Sequence, residues 1–166
     1  EYDDTTSGLL AGRLADTVDD SSVVTGNAIN RVLSDCDTSL VPQWSAQMLS
    51  NWQTWKDHYF YAVAGSFAPS AAVPSVCTDC LSVNGVGQYA AILMFANRRL
   101  QDSTQRRDAP PLDADTKQDT VNYLEGSNRT NVPGNGTSID YTSQAASTTF
   151  NDMLFCIDDN LAVLEC

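Results

Sequence analysis

Lysine is almost missing from this chain of 166 residues. Lys56 and Lys117 stand against 18 aspartates, and glutamate occurs only at positions 1, 125 and 165. The net charge of −12 repels polyphosphates and anionic bilayers and favours solubility, which excludes nucleic acid as a main partner. Long apolar runs are absent too. The richest stretch, Tyr59 to Ala64, falls far short of the ~18 residues of a membrane-crossing helix, so no membrane insertion is expected. Histidine is present once, at His58 beside Asp57, and no GxSxG or comparable nucleophile context accompanies it. Nothing singles out one carboxylate pair among so many aspartates. We expect no enzyme: no catalytic residues, no cofactor and no metal.

Metal and redox readings fail on missing companions. Cys77-Thr78-Asp79-Cys80 has CxxC spacing, but there is no second CxxC and no histidine pair to complete a zinc site. The strand–turn–helix setting of a thioredoxin-like motif is lacking, and Leu81 stands where a c-type haem motif needs histidine. Asp113-Ala114-Asp115 opens like a calcium loop, but Lys117 occupies the third ligand place.

Cysteine is what the chain does have. Cys36, Cys77, Cys80, Cys156 and Cys166 span it from end to end, and an odd number leaves one over. A chain of this length can bury a core without cross-links, so the cysteines speak about environment and assembly. The scheme we expect has Cys77 and Cys80 each reaching a different helix, with Cys36 and Cys156 as partners. Cys166 is then a free thiol or an intermolecular link. The alternative is a local Cys77–Cys80 bridge with Cys156–Cys166 closing the tail. A start on Glu1 rather than Met reads as a mature secreted chain. Sequons at Asn128-Arg129-Thr130 and Asn135-Gly136-Thr137 lie in one polar segment, where secretory glycosylation acts.

Apolar periodicity favours helices. Trp44, Met48, Trp52, Trp55, Tyr59 and Val63 recur at steps of four and three, predicting one amphipathic helix after Pro42. Leu10, Leu14, Val24, Ala28 and Val32 predict one or two helices before it. A further helix is predicted from Val86 to Leu100, and a short one from an Asp113 cap to Gly126. Ala146, Phe150, Met153, Ile157, Leu161 and Leu164 form a seam suited to a last helix. Ser22–Thr25 and Val73–Val83 are the only strand candidates. The expected fold is mainly α: a single domain over 1–166, a disulfide-stapled bundle of four to six helices with two long irregular loops.

Arg98, Arg99, Arg106 and Arg107 form a basic island in an acidic chain, a candidate contact for an acidic surface. Further copies of the chain offer one, at Asp3, Asp4, Asp16, Asp19 and Asp20. The expected function is a non-enzymatic structural or interaction subunit, extracellular or at the cell surface, that self-associates. The alternative is a secreted helical carrier holding a small hydrophobic ligand against Trp44, Trp52, Trp55 and Tyr59.

Overall fold

The computed structural model describes residues 10–13, 46–67, 77, 79–100, 105, 120–132 and 139–166. Its organising element is a hairpin at Asn84-Gly85. Both residues have positive φ, 54° and 73°, as a two-residue turn between twisted strands requires. The turn joins β3 (Leu81–Val83) to β4 (Val86–Phe95), with Val83 opposite Val86. Gly87 follows at φ 93°, where a Cβ would collide with the Tyr89 ring.

β4 is the hub of one sheet. Antiparallel to it lie β2 (Tyr59–Val63), which carries β1 (Leu10–Arg13) on its far edge, and β6 (Met153–Asp158), which carries β7 (Val163–Glu165). The short β5 (Asp140–Tyr141) runs parallel to β3. Helices among the described residues are α1 (Ala46–Trp55) and α2 (Gly126–Asn131).

This sheet overturns the expected helical bundle. The predicted helix through Val63 ends at Trp55, and a 3-10 turn over Lys56–His58 leads into β2. Tyr59-Phe60-Tyr61-Ala62-Val63 is rich in aromatic and branched residues that suit a pleated surface. Alternate residues of it are buried, so the run that looked apolar all round is a strand with two apolar faces. The predicted helix from Val86 is β4, and the predicted last helix is the β6–β7 hairpin. Leu10 opens a strand, as does Leu81, which lies inside the strand candidate ending at Val83. Of the predicted helix after Asp113, Thr120–Asn122 form a 3-10 turn; Ser22–Thr25 lie outside the described residues.

Alternation places the core on one face. Phe60, Met94 and Leu154 stand in one cross-strand row, Ala62, Ile92 and Cys156 in the next, and all are buried. Tyr123, Leu124, Val132 and Tyr141 complete the cluster over them. Burying each large apolar side chain stabilises the fold by about 1.5–3 kcal/mol. His58 is part of this frame: its Nδ1–H donates to the Ala96 carbonyl at 2.6 Å, and the Ala96 N–H returns to His58 O at 2.8 Å. No helix among the described residues is long and apolar enough to cross a membrane.

Candidate interaction face

The sheet's other face is apolar as well. Three rows cross it: Tyr59, Phe95 and Met153; Tyr61, Leu93 and Phe155; Val63, Ala91, Ile157 and Val163. Toward β2 these side chains are half-buried, and Tyr59 stacks obliquely on Phe95 at 5.0 Å. Toward the terminal hairpin they open to solvent. Met153 is 47% exposed, Phe155 39% and Val163 68%; Leu161 in the turn is 70% exposed, and Leu164, opposite Cys156 on the core face, 44%. Single apolar residues are ordinary on a surface; here several fall on one hairpin.

The hairpin's turn is built tightly. Asp158 Oδ1 accepts the N–H groups of Asn160 at 2.9 Å and Ala162 at 2.8 Å, and Asp158 and Ala162 close the loop through a backbone bond of 3.0 Å. Leu161 completes it at φ 63°. A left-handed conformation costs a branched side chain roughly 1–2 kcal/mol, and glycine or asparagine relieves it. An exposed leucine at the tip is thus the costlier choice both for the backbone and for solvation.

Charges bracket this face. Arg98 and Arg99 are exposed just past β4, where the Arg98 carbonyl accepts from Asn151 Nδ2 at 2.6 Å, beside the start of β6. Asp158 and Asp159 lie at the far end of β6. Arg106, Arg107 and the acidic N-terminal aspartates, which completed the expected basic and acidic contacts, lie outside the described residues.

The bridges are Cys77–Cys80 and Cys156–Cys166, each with Cα atoms 5.4 Å apart. This corrects the tethering scheme: the first pair is local, and the second ties β6 to the residue after β7. The cysteine left over in the sequence is Cys36 rather than Cys166, and it lies outside the described residues. Asp79, between the first pair, accepts hydrogen bonds from the Ser66 N–H and hydroxyl. Of the expected aromatic stripe, the Trp52 side chain lies outside what is described. Trp55 ends α1 with its ring edge-on to His58 and Phe95, Tyr59 is already in β2, and Trp44 lies outside the described residues.

Beneath the core face sits a cluster that sequence reasoning missed, the buried carboxyl pair Glu125 and Asp152. Asp152 Oδ2 accepts the Glu125 N–H at 3.0 Å and Asn128 Nδ2 at 2.9 Å, while its Oδ1 accepts no hydrogen bond. Glu125 accepts from Gln105 Nε2 at 2.5 Å and the Asn151 N–H at 3.1 Å. Burial pushes the Asp152 carboxyl up to about 8, and the adjacent Glu125 carboxylate adds to this by its charge and as a hydrogen-bond partner. Asp152 is therefore protonated at neutral pH. No spacing in the sequence links positions 125 and 152; the hydrogen bonds between the segments that precede α2 and β6 do.

Asn128 completes this cluster, so the two sequons part company. Its side chain is fully buried, Nδ2 also donates to Thr142 O at 3.0 Å, and Oδ1 accepts the Thr142 N–H at 2.8 Å. A glycan replaces one hydrogen of that nitrogen and needs room outside. Asn128 is expected to be unmodified in natively folded protein from a glycosylating host, as peptide mass mapping checks; an occupied Asn128 in folded material contradicts the placement. Asn135 lies outside the described residues.

No family model, curated protein or solved structure matches the chain.

Proposed function

We propose that this protein is a non-enzymatic interaction subunit that self-associates through its terminal hairpin, in an extracellular or cell-surface setting. One observation carries the reading: Met153, Phe155 and Val163 on the outer face, Leu161 at the turn and Leu164 on the opposite face are all exposed to solvent on one hairpin held by the Cys156–Cys166 bridge. Two disulfides fit an oxidising compartment.

Leu161→Gly tests the reading because it separates association from folding. Glycine relieves the positive φ, so the variant is expected to be at least as stable as wild type, by up to about 1 kcal/mol. Its self-association is expected to weaken about tenfold through the lost apolar contact. Raising salt is expected to strengthen the wild-type assembly, because screening removes repulsion between copies of charge −12 and leaves apolar contact intact. Sedimentation equilibrium and denaturant unfolding read both quantities. A wild-type chain that stays monomeric at every concentration and salt overturns the proposal. A monomer carrying a small hydrophobic molecule in native mass spectrometry moves the assignment to a carrier.

A further inference from the structure

We propose that β7 pairs antiparallel with β7 of a second copy, about a twofold axis at Leu164, so that two sheets become one. The inference rests on the self-association reading and specifies its geometry. Backbone parity carries it. Ile157 pairs with Val163, Cys156 with Leu164 and Phe155 with Glu165, and the Asp158 N–H bonds to Ala162 O. In an antiparallel ladder the hydrogen-bonded residues alternate, so Ala162 and Leu164 turn their polar groups toward β6. Val163 and Glu165 turn theirs the other way, toward an edge on which no described strand pairs.

That edge is its own complement. Its two outward residues flank Leu164 symmetrically, so a twofold there sets Val163 of one copy opposite Glu165 of the other and forms four N–H···O bonds. Each Glu165 then meets a valine rather than the other Glu165, which avoids directly opposed like charges. Leu164, 44% exposed at the rim of the core face, meets its own copy at close range. On the outer face, Val163 continues the row of Val63, Ala91 and Ile157 toward the neighbour.

Edge strands in monomers are usually blunted by short length, charge, proline or a bulge. β7 is short and carries one charge, Glu165, but it has no lysine, proline or bulge, and its following residue is fixed by the bridge to Cys156 and by Ser143 Oγ donating to Cys166 O at 3.3 Å. β1 and β5 are the other edge strands among the described residues, but β7 on either of them in a neighbour is a head-to-tail contact that leaves an edge open at every step. The β7–β7 contact closes at two copies.

The test uses the full chain carrying Cys36→Ser, which removes any link through that thiol. Val163→Pro deletes an outward N–H and no bond within the chain, and proline is tolerated on an edge. Each dimer loses two hydrogen bonds, so its Kd is expected to weaken about ten- to hundredfold, with the melting temperature of the monomer little changed. Amide exchange at Val163 and Glu165 is expected to slow as wild-type concentration rises through the Kd. A dimer as tight in Val163→Pro as in wild type, with exchange at those amides independent of concentration, overturns edge pairing and leaves self-association standing. Growth past two copies overturns it in favour of the head-to-tail contact. A monomer under all conditions, or a dimer lost on Cys36→Ser, removes the reading beneath it as well.

Discussion

Asp152→Asn is expected to gain on wild type in stability by about 1.4 kcal/mol for each pH unit between roughly pH 5 and 7. The folded chain holds this carboxyl at about 8 against an ordinary 3.8, chiefly because burial strips its hydration. The Glu125 N–H and the Asn128 amide oppose the rise, and the Glu125 carboxylate reinforces it. A carboxyl raised on folding contributes its stability in full below about pH 4. It loses that contribution as pH climbs toward 8, because the unfolded chain releases the proton first. Asparagine has no such proton. Its Oδ1 can take the place of Asp152 Oδ2 and keep both donors, while its Nδ2 occupies the position that accepts no bond. Denaturant titrations of both chains at pH 5, 6 and 7 measure the difference. Parallel profiles would mean that Asp152 is already ionised in the fold, and the account of the pair would be wrong.

Asn128→Ala is expected to cost about 3–5 kcal/mol, a large part of the 5–15 kcal/mol by which domains are stable. The side chain makes three hydrogen bonds from a fully buried position: two to the Thr142 backbone and one to Asp152 Oδ2. Truncation leaves the Thr142 N–H and carbonyl without those partners and withdraws a donor from a buried carboxyl. Asn128→Asp is expected to be worse at neutral pH, since it replaces that donor with a third acid beside Glu125 and Asp152. Urea unfolding at pH 7 checks both. A loss below about 1 kcal/mol for the alanine variant would show that the amide is not what ties α2 to Thr142 and to the start of β6.

The two predictions concern the same junction and so are not independent. Asn128 and Glu125 both reach Asp152, and substitutions within one hydrogen-bonded network do not add. Combining Asn128→Ala with Asp152→Asn therefore measures the coupling rather than a sum. Salt enters differently at the outer face. There the relevant charge is the whole chain's −12, a long-range effect that ionic strength reaches, whereas the junction is shielded by burial.

Legibility differed sharply between elements. The Asn84-Gly85 dipeptide is a strong hairpin signal, but a helix beginning at Val86 leaves it no second strand to join. The Cys77–Cys80 and Cys156–Cys166 bridges were within reach as one of the two schemes considered. The helix-or-strand decision failed for a definite reason. A step of four lies on one face of a helix, but four is even, so the same step also lies on one face of a strand. Tyr59 and Val63 stand four apart on the outer face of β2, and Met153 and Ile157 do the same on β6. The intervening residues could have separated the two cases: Phe60 and Ala62, or Leu154 and Cys156, are apolar and buried. On an amphipathic helix they would not share one face.

By itself the sequence determined the chemistry of the molecule. It set a strongly acidic surface with almost no lysine, one histidine, an odd number of cysteines and apolar runs too short for a membrane helix. Those properties belong to residues wherever they lie. Tertiary structure alone decided which faces the apolar residues share, that Glu125 and Asp152 meet, and that Asn128 is interior. It also decided that the terminal segment is an open hairpin rather than a packed helix. The physical reason is that burial and hydrogen bonding depend on pairing across distant strands. Cys156 opposite Ile92 and Asn128 against Thr142 are contacts that no local spacing encodes.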